Sequence, residues 1–146
     1  MSDFRQLTET IWASPQITVD DVAEAARLGF GTIINNRPEG EEAGQPAGDA
    51  IAAAAAEHGM GYVAIPVTPG GFTQAQVTAM GEALAAAEGK VLAYCRSGTR
   101  STNLWALAGA SKGEDPAGLI ESAAGAGYDL APIAATLDML AAQADD

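Results

Sequence analysis

The chain has 146 residues, 48% of them hydrophobic, and a formal net charge of −12 from 19 acidic and 7 basic residues. That length and composition exclude a disordered chain and lead to the expectation of one domain over residues 1–146, while the charge argues against nucleic acid and anionic membranes as partners. No apolar run reaches the roughly 18 residues of a spanning helix, and the start Met1-Ser2-Asp3-Phe4-Arg5 lacks the basic and apolar parts of a secretory signal, so a cytoplasmic location is expected.

In chain order, Thr8 to Ala13 reads as a strand ended by Ser14-Pro15. Thr18 and Asp21 have capping-box spacing ahead of a helix to about Leu28, which Gly29 stops. Gly31 to Asn35 reads as a buried strand, and Arg37 to Gly48, with its prolines and glycines, as a loop. Asp49 to His58 is predicted helical and closed by Gly59, and Gly61 to Pro66 is a second buried strand. Thr73 and Gln76 form another capping box, behind which Val77, Met80, Leu84 and Ala87 share a helix face. Lys90 to Tyr94 is a third buried strand, and Ser101 to Ala110 a helix. Asp115-Pro116 and Pro132 open two more helices, and Ala144-Asp145-Asp146 reads as a frayed tail. Alternation of this kind implies an α/β fold, a mostly parallel sheet flanked by helices, with ligands bound beyond the carboxyl ends of the strands.

The one cysteine, Cys95, stands at such an end. Two of the chain's few bases, Arg96 and Arg100, follow it closely. The residues between, Ser97, Gly98 and Thr99, are small, and a helix comes next. A short strand-to-helix turn aims backbone N–H groups inward as an anion nest, and the helix N-terminus adds its own. Gly98 can take the positive φ that such a ring requires, and Arg100 can fold back as a two-pronged donor. Cys95 is then expected to be held as a thiolate and to act as nucleophile, with Arg96, Ser97, Gly98, Thr99 and Ser101 around the anion. A lone cysteine is otherwise most often a small buried hydrophobe. One cysteine and one histidine do not close a zinc site, so no metal is expected, and nothing in the motifs asks for a cofactor.

Tyr94-Cys95-Arg96-Ser97-Gly98-Thr99-Arg100-Ser101, together with Ile34-Asn35-Asn36-Arg37-Pro38-Glu39-Gly40-Glu41 and Gln45-Pro46, resembles the phosphatase-like domain of the beta-lactamase hydrolase-like proteins. The resemblance extends from Ile11-Trp12 through Leu104-Trp105 to Gly127-Tyr128-Asp129-Leu130. It implies the architecture of dual-specificity protein phosphatases. Some members are fused to a metal-dependent sulfur dioxygenase, which implies a dioxygenase partner and a link to persulfide metabolism.

The resemblance divides the function. Phosphatases of this type place five residues between cysteine and arginine; here there are four, as in rhodanese sulfurtransferases. A shorter loop makes a smaller ring, which suits a persulfide sulfur better than a tetrahedral phosphate. Tyr94 stands where such phosphatases have histidine, and the segment Val67 to Thr73 contains no acid to protonate a leaving oxygen. Glu39, Glu41 and Glu42 are the carboxylates that could reach in from the other loop. The leading expectation is therefore a sulfurtransferase that carries sulfane sulfur as a Cys95 persulfide, with thiosulfate or a persulfide as its small anionic donor. The alternatives are a phosphatase acting on small phosphoesters through a phosphocysteine, and a non-catalytic module that binds an anion or senses oxidants.

Asn36 and Arg37 are candidates to contact the substrate anion, with Arg37 equally readable as the partner of Glu39, Glu41 or Glu42 within its own loop. Gln45-Pro46 is expected to begin the next helix. Ser101 can donate to the thiolate or cap its helix. His58 suits a helix C-terminus, and Trp12 and Trp105 are expected in the core.

Overall fold

The computed structural model describes residues 2–144, so Asp145 and Asp146 of the expected frayed tail lie outside the described residues. A short strand Arg5–Gln6 (β1) turns back into Ile11–Ser14 (β2). Helix Val19–Arg27 (α1) leads to strand Phe30–Asn35 (β3), helix Gly48–Glu57 (α2) to strand Gly61–Ala64 (β4), and helix Gln74–Ala86 (α3) to strand Lys90–Tyr94 (β5). Helices Thr99–Ser111 (α4), Pro116–Gly125 (α5) and Ala134–Ala144 (α6) complete the chain, the last entered through a single 3₁₀ turn, Ala131–Ile133.

Both capping boxes form. Thr18 Oγ1 accepts from Asp21 N while the Asp21 carboxylate accepts from Thr18 N, and Thr73 and Gln76 repeat the arrangement on α3. Asp115 caps α5 ahead of Pro116, whose missing N–H costs nothing in the first turn.

The strands lie in the order β1-β2-β5-β3-β4, with β2, β5, β3 and β4 parallel and β1 antiparallel at one edge. Successive residues of the central strands serve opposite faces. Leu92, Tyr94 and Ile33 pack with Val22, Ala25, Ile51 and Ala55 of α1 and α2. Val91, Ala93 and Ile34 pack with Met80, Leu104, Trp105, Leu119 and Leu137 of α3 to α6. Both faces are covered, which is why these strands read as continuous apolar runs rather than alternating ones. Ile33, Ile34 and Leu92 are wholly buried, each contributing about 1.5–3 kcal/mol of hydrophobic stabilisation.

The connections place the site. From β2 the chain passes β5 to form β3 and then β4 along one face, and α3 returns it across the other face to insert β5 between β2 and β3. The carboxyl end of β5 therefore lies at the point where the winding direction reverses, the crevice in which parallel sheets bind ligands.

The structure departs from the sequence reading at several elements. The strand read over Thr8 to Ala13 runs instead over Ile11–Ser14, because Thr8 to Thr10 form a turn pinned by the Thr8 hydroxyl, which accepts from Thr10 N and Ile11 N, and the two-residue β1 precedes it. Strand β4 is the far edge of the sheet, half-exposed along its length, rather than a buried strand, and it ends at Ala64 before Pro66. Helix α4 starts at Thr99, two residues earlier than expected, because Gly98 turns the chain directly into it. Helix α2 begins at Gly48, so Gln45-Pro46 belongs to the preceding loop. Trp105 lies in the core as expected, and the half-buried Trp12 packs edge-on against Phe30. Among the described residues no helix is long and apolar enough to cross a membrane.

Candidate active site

Three strand ends converge on Cys95. Register pairs Tyr94 with both Ser14 of β2 and Asn35 of β3, so the residues after each of these partners flank the cysteine. Cys95 N donates to Ser14 O at 3.3 Å, Asn36 N donates to Tyr94 O at 2.8 Å, and Gln16 N donates to Arg96 O at 3.2 Å. The start of the loop is thus stitched to both neighbouring strands.

From there the chain needs only Arg96, Ser97 and Gly98 to reach α4. Gly98 is the N-cap residue at φ 95°, a left-handed conformation that a side chain makes costly. Its N–H points back to the Cys95 sulfur at 3.1 Å. Its carbonyl accepts from both Thr102 N and Thr102 Oγ1, at 2.9 and 2.8 Å, which fixes the first turn of the helix. The backbone N–H groups of Arg96, Ser97, Arg100 and Ser101 have no hydrogen-bond partner among the described residues, as expected for a helix start open to an anion. Ser97 and Thr99 bond to one another through their hydroxyls at 3.0 Å and lie on the exposed rim.

Cys95 is fully buried. Its surroundings are nonetheless polar. Besides the Gly98 amide, the Arg100 guanidinium and the Tyr128 ring lie close enough for the sulfur to raise the pKa of each, although the larger causes are the Glu41 bond for Arg100 and burial for Tyr128.

Arg100 turns inward. Nη1 donates to Glu41 Oε2 at 2.7 Å and to Val67 O at 2.6 Å, and Nη2 donates to Glu41 Oε1 at 2.8 Å. Nε and one hydrogen of Nη2 are not spent on Glu41 or the Val67 carbonyl, which leaves a two-pronged edge for an oxyanion. Glu41 is held further by Arg37 Nε at 2.9 Å. The Arg100 hydrogen bonds, with those of Arg37, outweigh partial burial and draw the Glu41 carboxyl down to about 2.

The remaining candidates fall into two groups. Arg37 is almost wholly buried and spends its guanidinium on Glu41, Glu42 and Gln16, each within 3.0 Å. Of its two readings, these contacts match the structural one. Asn36 Nδ2 donates to Ile65 O and Asn36 Oδ1 accepts from Ser101 Oγ at 2.8 Å, both bonds being buried. Ser101 thus neither donates to the sulfur nor caps its helix; with Asn36 it ties α4 to the ends of β3 and β4. Arg96 is exposed and lies 3.5 Å from Glu42. Gln45, read as a helix start, instead braces the loop, accepting from Glu41 N and donating to Pro38 O. His58 sits exposed at the C-terminus of α2.

Two residues with a structural part in the site were not among its sequence candidates. Tyr128, between α5 and α6, donates its hydroxyl to Ser97 O at 3.0 Å and fills the space beside Gly98, where a Cβ would meet its oxygen at 2.0 Å. Gln16 braces the loop through its N–H and Arg37 through its side chain. Both act across long stretches of chain, so spacing could not show them.

Comparison with known proteins agrees with this architecture. Residues 3–112 match the family described as beta-lactamase hydrolase-like protein, phosphatase-like domain. The beta-lactamase hydrolase-like protein of Xylella fastidiosa strain 9a5c is 38% identical over 94% of this chain, which spans 32% of that relative's own length. In structure, a candidate phosphatase from Neisseria meningitidis superimposes with a TM-score of 0.84 at 35% identity, covering 96% of this chain and 99% of that one. TpbA of P. aeruginosa, in a Cys-to-Ser variant complexed with phosphotyrosine, shares the fold at a TM-score of 0.67 and 19% identity, covering 99% of this chain and 91% of that one. The chain belongs to the family of phosphatase-like domains of the beta-lactamase hydrolase-like proteins.

Proposed function

We propose that the chain is a cysteine-dependent phosphatase-like hydrolase that cleaves small phosphoesters through a Cys95 phosphocysteine. The observation that carries this is the Gly98 N–H at 3.1 Å from the sulfur, in a loop whose Arg100 is held in place by Glu41 and the Val67 carbonyl. The fold likeness to TpbA, which holds phosphotyrosine, and the likeness to the Neisseria protein support phosphate over sulfane sulfur. The leading expectation of sulfur transfer therefore gives way to the phosphatase reading.

The substrate phosphate takes its hydrogen bonds from the open N–H groups of Arg96, Ser97 and Arg100 and from the Nε–Nη2 edge of Arg100. Cys95 attacks phosphorus as the thiolate, and charge that develops on the equatorial oxygens meets donors already in place. Water then releases phosphate from the sulfur. Glu41 and Tyr128 position the arginine and the loop without touching substrate. Residues 1–146 act as one unit, placed in the cytoplasm.

The test is turnover of p-nitrophenyl phosphate by the full chain and by Cys95→Ser. Turnover by the former and a background rate in the latter are expected; equal rates would overturn the proposal.

One observation favours a second reading. Four residues rather than five separate Cys95 from Arg100, and sulfur transfer, in which sulfite or a thiolate departs, needs no proton donor. Under that reading a persulfide on Cys95 replaces the phosphocysteine, and a sulfur dioxygenase is the natural partner.

A further inference from the structure

Cleaving an unactivated phosphate ester requires a proton on the departing oxygen as the P–O bond breaks, and enzymes supply it from a neutral acid poised near the working pH. The carboxylates of the loop facing Cys95 are all committed elsewhere. Glu41 reaches Arg100, but it is bonded by two guanidinium groups, which keep it ionised far below neutral pH. Glu42 pairs with Arg37 and Arg96. Glu39 accepts from Gly48 N at 2.8 Å, at the start of α2. The segment from Val67 to Thr73, which faces Arg100 through the Val67 carbonyl, has no acidic residue. The Tyr128 hydroxyl commits its proton to Ser97 O.

We infer that the site takes phosphoryl donors whose leaving group departs as a stable anion: acyl phosphates, phosphoric anhydrides and electron-poor aryl phosphates. This rests on the phosphatase reading above. In the first step a Cys95 sulfur lone pair forms the S–P bond. The P–O bond breaks, and its electron pair leaves with the oxygen as carboxylate, phosphate or phenolate, so no proton moves. In the second, water attacks phosphorus, the S–P electron pair returns to sulfur, and the proton lost by water passes to solvent as inorganic phosphate departs.

The experiment compares kcat/KM, which reports formation of the phosphocysteine, for a series of aryl phosphates of rising phenol pKa, with acetyl phosphate and phosphoserine added. The full chain is run beside Cys95→Ser. The expected result is a fall of about tenfold for each unit of phenol pKa, acetyl phosphate among the best substrates, and phosphoserine at the rate of the Cys95→Ser protein. Cys95-dependent rates that stay level along the series would reveal a proton donor and overturn the inference while leaving the phosphatase reading intact. No Cys95-dependent turnover of even the most activated donors would overturn both.

Discussion

Glu41 grips Arg100 with both carboxylate oxygens, 2.7 Å to Nη1 and 2.8 Å to Nη2, across 59 residues of chain. The pair is mostly shielded from solvent, with 15% of the arginine side chain and 17% of the glutamate side chain exposed. The long side chain of Arg100 is thus ordered before any substrate arrives, so its ordering entropy is not charged against binding.

Replacing Glu41 by Gln removes the charge that holds two guanidinium groups. The expected result is a fall of about tenfold in kcat/KM for p-nitrophenyl phosphate and a loss of about 1–3 kcal/mol of stability, measured by steady-state kinetics and urea unfolding. The pH dependence has a definite sign. Because folding lowers the Glu41 carboxyl from 4.5 to about 2, its contribution is fully present above about 4.5 and is lost as pH falls from there toward 2. The gap in urea midpoint between the native chain and Glu41→Gln should therefore close across that window. A gap that stays constant down to pH 2 would contradict the ion pair.

Gly98→Ala should damage the loop from two directions. A Cβ there meets the Tyr128 oxygen at 2.0 Å, and the backbone sits at φ 95°. The expected cost is on the order of 1–3 kcal/mol from the backbone alone, with loss of most activity, read by thermal unfolding and p-nitrophenyl phosphate turnover. Adding Tyr128→Phe removes the nearest clashing atom and should recover part of the stability. No recovery would show that the conformation alone sets the cost.

Ser101→Ala leaves the buried Asn36 Oδ1 without its donor. A loss of about 1–3 kcal/mol is expected, with kcat/KM changed less than by Glu41→Gln, because Ser101 bonds to Asn36 rather than to the sulfur. A collapse of activity with unchanged stability would place the hydroxyl in the chemistry instead.

Local signals were readable from sequence and distant ones were not. The capping boxes at Thr18 and Thr73 lie within one turn of helix, so spacing alone announces them. The run Lys90 to Tyr94 reads as a strand at its full length because both faces are buried. The Cys95–Arg100 loop was legible as a unit, yet the early start of α4 was not, since it depends on the φ that Gly98 adopts. Strand β4 read as a buried strand, whereas its exposure follows from an edge position, which is a property of sheet order. Arg37 was read with two possible roles and Glu41 as one of three nearby carboxylates, and which partner each takes is decided by where β2, β3 and β5 end in space. Tyr128 braces Ser97 from 31 residues away, beyond the reach of any local pattern.

The proposed reaction requires that Cys95 carry the transferred group. Its most direct measurement is the intact mass of the protein after brief exposure to p-nitrophenyl phosphate and an acid quench, run beside an exposure to thiosulfate and beside Cys95→Ser. An added mass of about 80 Da, one phosphoryl group, is expected on the native chain and none on Cys95→Ser. An adduct that persists in Cys95→Ser, or a gain of about 32 Da from thiosulfate alone with none from the phosphoester, would contradict it.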